Sequence, residues 1–400
     1  MRQVYLDYAA TTPVKKEVLE EMLPFHMECY GNPSSLHEMG IQAKQAIDLA
    51  RKRIAQLINS DPAEIYFTSG GTEADNWALL ATSLSKKKEG NHIITTKVEH
   101  HAILHTAKFL ENAGFQITYV DVDRKGRVLI DQLEKSITDK TILISVMMAN
   151  NEVGTIQPIK QIAELAKRHG ILFHTDGVQA VGNMIVDVED LGVDMLSLSS
   201  HKIYGPKGVG ALYIRRGVPI GNFIHGGAQE NKLRAGTENV AGIVGFGKAA
   251  QMAVERLEDY TERLRTLRDY FLKEITAKIE DVEINGDMDR RLPGNANVIF
   301  HYIEGEAILL YLDAKGIFAS TGSACSSATF APSHVLAAMG VPIEHAYSSL
   351  RFTFGDGTTK EEIDYVVEEI ATAVTKLRAF SPFNKERNMN TMMKDKNMAD

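Results

Sequence analysis

One lysine of the sequence stands where an amine could become a nucleophile. Lys202 ends the run Ser199-Ser200-His201-Lys202, which follows an apolar stretch typical of a buried strand and precedes a loop rich in turn residues. Most lysines are solvated surface charges. A partly desolvated amine, however, loses its proton readily and can form a Schiff base with an aldehyde. The hydroxyl groups and the imidazole beside it could bind a phosphate.

A second run has the composition of an anion site. Residues 68–76 read Thr-Ser-Gly-Gly-Thr-Glu-Ala-Asp-Asn and pass from a strand pattern into a helical pattern. The first N–H groups of a helix and its dipole favour anions, so Gly71 and Thr72 are candidate phosphate-binding residues. A plain strand-to-helix turn is an equal alternative when the run is taken alone. The run lacks the lysine of a Walker loop and the third glycine of a dinucleotide fingerprint, so neither nucleotide motif is indicated.

An acid and a histidine would complete a site for a flat cofactor. Asp176 follows an apolar run, where α/β folds place ligand contacts, and its carboxylate could keep a pyridine nitrogen protonated. On its own, Asp176 could equally be a helix cap. His100 follows the strand pattern that ends at Thr96. It could stack on a ring and transfer protons, although a single histidine is usually structural.

The two cysteines, Cys29 and Cys325, lie in different settings. Residues 319–328 are small and rich in serine and glycine, which predicts an exposed, mobile loop. The Cys325 thiol is therefore a candidate nucleophile, whereas Cys29 is expected to be a buried structural cysteine. Two cysteines give no disulfide framework, which favours a reducing compartment and a cytoplasmic protein.

Composition excludes several classes of protein. The 400 residues include 44 basic and 52 acidic side chains, a formal net charge of −8. This charge argues against direct nucleic-acid binding. No apolar run is long enough to span a membrane, and the first residues lack the core of a signal peptide. No pattern of metal ligands is evident, so no resident metal is expected.

The order of the elements predicts an α/β fold. Helical stretches such as residues 159–169 alternate with short apolar runs, which are expected to form a mostly parallel sheet; the runs are residues 65–69, 92–96, 116–120, 142–148, 172–175, 195–198 and 210–215. Beyond residue 240, apolar side chains recur at helical spacing from Val254 to Ile275, which predicts a long amphipathic helix. Strand patterns at residues 297–300, 316–320 and 350–354 then indicate a smaller α+β unit.

Together these runs resemble the cysteine desulfurases of the NifS/IscS type, which are class V aminotransferase-like enzymes that use pyridoxal 5′-phosphate. The resemblance follows a fixed order of motifs, at residues 4–13, 30–37, 69–76, 150–154, 199–208 and 322–326. It implies the fold of the aspartate aminotransferase-like transferases. A large cofactor-binding domain would span residues 13–258. A small domain, residues 1–12 and 259–383, would carry the Cys325 loop, and residues 384–400 would form a disordered polar tail.

The resemblance also implies a role for each candidate residue. Lys202 would bind the cofactor covalently and move protons, and Asp176 would pair with the pyridine nitrogen. Gln179 would contact the phenolic oxygen, and His100 would stack on the ring and transfer protons. The remaining cofactor contacts would come from Gly71, Thr72, Asn151, Ser199, His201 and, in the partner subunit, Thr237. The substrate carboxylate would be bound by Asn151 and Arg351, with Asn32 also at the substrate.

The implied reaction converts L-cysteine to L-alanine and leaves the sulfur on Cys325 as a persulfide. A homodimer would pass this sulfur to an acceptor, such as an IscU-type scaffold for iron–sulfur clusters or a tRNA-thiolation enzyme. Cys325 would then also be a transient iron–sulfur ligand. The run from Gly322 to His334 resembles the longer loop of the NifS/IscS group rather than the shorter SufS-like loop. The tail after Pro382 departs from the family's usual partner-binding sequence.

Two other classes of function stay open from the residues alone. One is a related lyase or transaminase of class V, for example a selenocysteine lyase, for which Cys325 would not be essential. The other is a non-catalytic scaffold that keeps the fold and binds partners. The presence of Lys202, Asp176, His100 and Cys325 in one chain weighs against the scaffold.

Overall fold

The computed structural model of the protein describes residues 2–321 and 332–381. Cys325, its neighbours in 322–331 and the tail 384–400 lie outside these ranges. The strands are β1 (Val4–Tyr5), β2 (Ile65–Thr68), β3 (His92–Thr96), β4 (Gln116–Val120), β5 (Thr141–Ser145), β6 (Leu172–Asp176), β7 (Met195–Ser199), β8 (Gly210–Ile214), β9 (Val282–Ile284), β10 (Asn295–Phe300), β11 (Ile317–Phe318) and β12 (Ser349–Thr353). The helices are α1 (Lys16–Met22), α2 (Pro24–Met27), α3 (Glu38–Leu57), α4 (Gly71–Ser85), α5 (His101–Asn112), α6 (Ile130–Lys135), α7 (Ile159–Arg168), α8 (Val188–Leu191), α9 (Val240–Lys278), α10 (Gly305–Ala314), α11 (His334–Ala338), α12 (Ile343–Ala346) and α13 (Lys360–Phe380).

A seven-stranded sheet forms the centre of the molecule, in the order β2-β8-β7-β6-β5-β3-β4. Its strands run parallel except β8, which is antiparallel to both of its neighbours. Strands β3, β5 and β7 are buried along their whole length. Continuous burial of this kind is typical of a parallel sheet covered on both faces. The predicted α/β fold with a mostly parallel sheet is confirmed.

Helices cover both faces of this sheet. On one face, α3, α7 and the first half of α9 pack in a core that contains Ile54 and Phe246. On the other face, α4 and α5 bury Trp77 and Ile103. The indole of Trp77 donates a hydrogen bond to the carbonyl of Gly221 at 3.1 Å, so its one polar group is satisfied. Within the two described ranges, no helix is both long and apolar enough to cross a membrane.

A second core lies around two smaller sheets. Strands β12, β10 and β9 form an antiparallel sheet, and β1 pairs with β11 in parallel. Helix α9 is 39 residues long and enters both cores, with Phe246 in the first and Phe271 in the second. The helix therefore connects the two cores physically. The domain boundaries expected from the sequence stay a prediction.

Three local expectations were wrong in detail. The long helix begins at Val240, well before its apolar period is visible, because the Asn239 side chain caps it by accepting the Gly242 N–H bond at 3.1 Å. Strand β5 ends at Ser145 rather than at residue 148, and the Met147 N–H group donates instead to the Glu99 carboxylate at 3.0 Å. Cys29 is half-exposed rather than buried, since it follows a short surface helix.

The close packing of α3 on α9 gives a test of the first core. A Cβ atom on Gly247 would lie 2.5 Å from the Cα atom of Ala50. We expect Gly247→Ala to lower the free energy of unfolding by about 1–3 kcal/mol, because backbone must move, despite the better helix propensity of alanine. The control is Gly221→Ala, where the nearest atom is 3.6 Å away. Thermal unfolding of both variants measures the difference; a Gly247→Ala protein as stable as wild type would contradict this packing.

Candidate active site

A cavity of about 350 Å³ opens at the carboxyl ends of the central strands. Side chains from β6, β7 and the start of α4 meet there, as expected for ligand sites in open parallel sheets. Most of the residues singled out from the sequence line this one cavity: Gly71, Thr72, His100, Asn151, Asp176, Gln179, Ser199, His201, Lys202 and Arg351. The structure thus brings together side chains that are far apart in the chain.

Lys202 lies at the end of a short 3₁₀ turn, Ser200–Lys202, directly after β7. Its ammonium group donates to the carbonyl oxygens of Ala9 and Ala10 at 2.6 and 2.8 Å. The N-terminal segment is therefore part of the cavity wall. These bonds hold the amine at a defined place next to the cavity.

Two buried carboxyl groups, those of Asp176 and Asp75, face the cavity. Asp176, at the end of β6, accepts the Val178 N–H bond at 2.9 Å, and burial raises its pKa to about 6, against the opposing effect of Lys202. Asp75 lies on α4 one turn after Gly71. Burial, reinforced by the charge of Asp176, raises the pKa of Asp75 well above its usual range. A cationic group bound beside Asp176 would relieve this electrostatic cost.

His174 is fully buried next to Asp75, with its Nε2 atom 3.7 Å from the Asp75 Oδ1 atom. Its Nδ1 atom lies 2.9 Å from the Ser145 hydroxyl and its Nε2 atom 3.0 Å from the Ser197 hydroxyl. Burial lowers the pKa of His174 to about 3, so the ring is neutral. The neutral ring supplies no positive charge to Asp75, whose Oδ1 atom is buried without a hydrogen-bond partner among the described residues.

The opposite end of the cavity suits an anion. Helix α4 begins at Gly71, and its first N–H groups point out of the helix end. Gly71 is required by close packing, because a Cβ atom there would lie 2.7 Å from the Val178 side chain. His201 lies beside this end with its Nδ1 atom 3.1 Å from the Thr11 hydroxyl. Burial and the charges of Lys202 and Lys207 lower the pKa of His201 to about 4.

His100 forms a wall of the cavity and is neutral. It caps α5, and its Nδ1 atom accepts the Ala102 N–H bond at 3.2 Å. Burial, followed by the charge of Lys202, lowers its pKa to about 4. Because Nδ1 is the acceptor, the proton of the neutral ring is placed on Nε2. The ring can therefore stack against a planar ligand and donate one hydrogen bond.

Arg351 brings a cation from the small antiparallel sheet to the cavity. Its guanidinium donates to the Asp7 carboxylate at 2.8 Å and to the Asn151 carbonyl at 3.1 Å. Gln179 donates to the Ala9 carbonyl at 2.9 Å, the same oxygen that binds Lys202. Arginine binds carboxylates in a planar fork, so this side of the cavity suits a carboxylate ligand.

Three of the candidate residues are not gathered in this cavity. Thr237 and Asn32 are exposed and do not line it; the Asn32 side chain accepts the Ser34 N–H bond at 2.9 Å. Thr237 is expected to serve a partner subunit, which a single chain does not test. Cys325 lies outside the described residues. On either side of that segment, Ser320 is hydrogen-bonded to the backbone of Arg351 and His334 lines the cavity.

Sequence reasoning overlooked Asp7, Asp75, Glu152 and His334. Asp75 could have been found, because it follows Gly71 by four residues and so lies on the same face of α4. Asp7 lies in a motif that was noted, but its pairing with Arg351 joins residues 344 positions apart. Glu152 accepts a hydrogen bond from Ser333. Among the described residues, no group of three His, Cys, Asp or Glu side chains is arranged to hold a metal.

The raised pKa of Asp176 predicts a pH-dependent stability. Between about pH 4 and pH 6 the folded protein keeps a proton on Asp176 that the unfolded chain releases, so this group stabilises the fold at low pH and the contribution is lost as the pH rises. In ligand-free protein above pH 6, Asp176→Asn should therefore be more stable than wild type by on the order of 2 kcal/mol, and equal to it near pH 4. Unfolding at a series of pH values measures this. Asp139→Asn, at an exposed position, should leave the profile unchanged; lower stability of Asp176→Asn at every pH would contradict the assignment.

Comparisons with known proteins show the family to which the chain belongs. The Aminotransferase class-V family matches residues 4–366. A cysteine desulfurase IscS of Clostridium botulinum is 56% identical over 383 residues, which cover 95% of this chain and 96% of the relative. A solved NifS-like protein superposes with a TM-score of 0.89 at 41% identity and covers 94% of this chain and 100% of its own.

A second solved structure, of SspA in complex with cysteine, has a TM-score of 0.80 and 37% identity, covering 88% of this chain and 99% of its own. Both the family match and the identity extend over nearly the whole chain. The predicted resemblance is confirmed. The chain belongs to the class V aminotransferases, and within them to the cysteine desulfurases of the NifS/IscS type.

Proposed function

We propose that this protein is a pyridoxal-phosphate-dependent cysteine desulfurase, which converts L-cysteine to L-alanine and transfers the sulfur to Cys325. One observation carries the proposal. A single cavity joins the amine of Lys202, the buried carboxyl group of Asp176 and the first turn of α4. These three features are the ones that an aldehyde, a pyridine nitrogen and a phosphate on one small molecule require.

The residues present fit this cofactor. Asp176 is buried with one N–H bond to its carboxylate, so it can accept a second bond from a protonated ring nitrogen. The helix end at Gly71 and Thr72, with Ser199 and His201, would hold the phosphate. The remaining contacts would be His100 against the ring face, Gln179 at the phenolic oxygen, Asn151 beside the ring and Lys202 in covalent attachment.

The bound cofactor supplies an electron sink for the bonds at the amino acid α-carbon. The Lys202 amine would be the base that takes and returns the α-proton. The neutral His100 can pass a second proton through Nε2. Asp176 would be ionised when a protonated ring nitrogen is bound, because a cation beside a carboxyl group lowers its proton affinity.

The substrate is held by its carboxylate and attacked at its sulfur. Arg351 and Asn151 would bind the carboxylate at the side of the cavity opposite the helix end. The Cys325 thiolate attacks the substrate sulfur; the S–S bond forms as the C–S bond breaks, and the α-amino acid product takes up protons to become L-alanine. The chain retains the sulfur as a Cys325 persulfide, so electrons and atoms balance without an external oxidant.

The destination of the sulfur is also part of the proposal. Curated relatives bear the name cysteine desulfurase IscS, which supports transfer to an acceptor protein, either a scaffold of the IscU type or a tRNA-thiolation enzyme. Transfer of the outer sulfur atom from the Cys325 persulfide requires a nucleophilic acceptor, such as a protein thiol. Transient iron–sulfur ligation by Cys325 and the cytoplasmic location stay predictions.

Substitution of Cys325 tests the reaction. Wild type with L-cysteine, pyridoxal phosphate and a thiol reductant should release alanine and sulfide in equal amounts, whereas Cys325→Ser should release neither, because serine cannot accept sulfur. Cys29→Ser is the matched control and should keep full turnover, since its side chain lies away from the cavity. Both products are quantified over the same time course.

The same assay separates the alternatives. Full sulfide release by Cys325→Ser would overturn the persulfide step. Loss of cysteine turnover with retained selenocysteine turnover would be the expected behaviour of a desulfurase, because selenium leaves more readily than sulfur. A wild-type protein that binds pyridoxal phosphate but releases no sulfide would favour another lyase or a transaminase.

Mixed dimers test the proposed contribution of Thr237 to the partner subunit. Thr237 is exposed in its own chain, and its loop is fixed by the Arg234–Glu73 ion pair at 2.8 Å. Thr237→Ala should weaken cofactor affinity by about tenfold, the usual effect of losing a hydrogen bond to a charged group. A heterodimer of one Lys202→Ala chain and one Thr237→Ala chain should then keep one intact site and about half the wild-type activity at limiting cofactor. If the heterodimer is no more active than either parent homodimer, Thr237 contacts the cofactor of its own chain or contacts no cofactor.

A further inference from the structure

The guanidinium of Arg351 is buried and only partly used. Its side chain is 3% exposed and lines the cavity. An arginine has five N–H donors. One Nη2 donor binds Asp7 at 2.8 Å and one Nη1 donor binds the Asn151 carbonyl at 3.1 Å. The Nε donor is buried without a partner among the described residues.

We propose that Asp7 is a positioning residue that weakens the binding of carboxylates at Arg351 and thereby sets the affinity for L-cysteine and the release of L-alanine. The inference rests on the proposed function, in which Arg351 binds the substrate carboxylate. Nothing in that function requires Asp7, and Asp7 acts on the substrate only through the guanidinium.

The physical basis is competition between two anions for one buried cation. A carboxylate that approaches Arg351 finds the positive charge of the guanidinium already paired with the Asp7 carboxylate. Charges in this setting are screened less than at the surface. The ligand therefore gains less than it would from an unpaired guanidinium, although free N–H donors are available to it.

The backbone keeps Asp7 in place beside Arg351. The Thr353 N–H group, two residues beyond Arg351 on β12, donates to the Leu6 carbonyl at 2.7 Å. The Thr353 hydroxyl accepts the Ala9 N–H bond at 2.9 Å, and the Tyr5 hydroxyl donates to the Asp7 carbonyl at 3.0 Å. The main chain on both sides of Asp7 is therefore anchored, and the competition is a built-in property of the site.

Pairing of Arg351 with Asp7 lets the same site bind L-cysteine and still release L-alanine. L-cysteine and L-alanine carry the same α-carboxylate, so a strong fork at Arg351 would hold product as firmly as substrate. Uniform binding of this kind does not accelerate the chemical step. Because Asp7 weakens carboxylate binding at Arg351, the product L-alanine dissociates more readily and turnover continues.

Asp7→Asn tests the inference, because asparagine keeps the shape and removes the charge. We expect KM for L-cysteine and the dissociation constant of L-alanine to fall together by about tenfold, roughly the effect of one charge-assisted interaction. The alanine constant is measured by equilibrium titration of the holoenzyme, independently of turnover. The rate constant kcat should stay equal or fall, as product release slows.

A purely structural role for Asp7 predicts the opposite change in KM and in the dissociation constant of L-alanine. If Asp7 only held Arg351 in place, its loss would disorder the guanidinium and raise both constants. An unchanged or increased KM with a folded Asp7→Asn protein overturns the inference. Asp7→Ser is a second neutral variant in case Asp7→Asn does not fold, and melting temperatures report the fold of each.

The Arg351→Ala variant distinguishes a failure of the proposed role of Asp7 from a failure of the proposed role of Arg351. Arg351→Ala alone should raise KM and weaken L-alanine binding. In that background, Asp7→Asn should have no further effect on L-alanine, because Asp7 acts through the missing guanidinium. If Arg351→Ala leaves KM unchanged, the proposed role of Arg351 fails. If Arg351→Ala raises KM but Asp7→Asn lowers neither constant in the protein that keeps Arg351, only the role of Asp7 fails.

Discussion

The main chain of residues 5–12 is the constraint on which the site depends. Its carbonyl groups at Ala9 and Ala10 bind the amine of Lys202, and its Asp7 side chain pairs with Arg351. Lys202 follows a strand of the large sheet, whereas Arg351 lies in the small antiparallel sheet. One short segment therefore fixes the two cations of the cavity relative to each other. A cofactor bound at Lys202 and a carboxylate bound at Arg351 are separated by a distance that this segment sets.

The negative groups of the cavity follow a complementary logic. Asp75 and Asp176 are both buried, and His174 beside Asp75 is neutral. Burial of a carboxylate costs folding free energy. A ligand that brings a protonated nitrogen to Asp176 recovers part of that cost, so binding and stability are linked. The buried acids of the site therefore lower the stability of the ligand-free protein, as is common where function and stability compete.

Features set by local sequence were predictable, and features set by distant contacts were not. The strand-to-helix turn at Gly70 and Gly71 and the position of Lys202 after a buried strand follow from turn residues and hydrophobic runs. The parallel sheet follows from their alternation. The pairing of Asp7 with Arg351 and the burial of Asp75 beside Asp176 depend on which strands and helices become neighbours, for which local patterns carry no signal. The start of α9 was missed because three glycines, at positions 242, 245 and 247, dilute its apolar period.

Contacts of Tyr204, close to Lys202, hold the two cores in their relative orientation. Tyr204, two residues after Lys202, has a left-handed backbone with φ of 71°, a conformation that costs a non-glycine residue on the order of 1 kcal/mol. Its hydroxyl accepts the Asp356 N–H bond at 2.8 Å and lies 3.1 Å from the Tyr260 hydroxyl of α9.

The Asp356 side chain in turn pairs with Lys15 and with Arg256 of α9. Asp356 follows β12, the strand that carries Arg351. The same contacts therefore connect the turn that ends at Lys202 with β12. A relaxed backbone at Tyr204 would break these contacts and turn the chain that presents Lys202. The strained conformation is therefore maintained by the packing of both cores, and it keeps the amine and the guanidinium in one cavity.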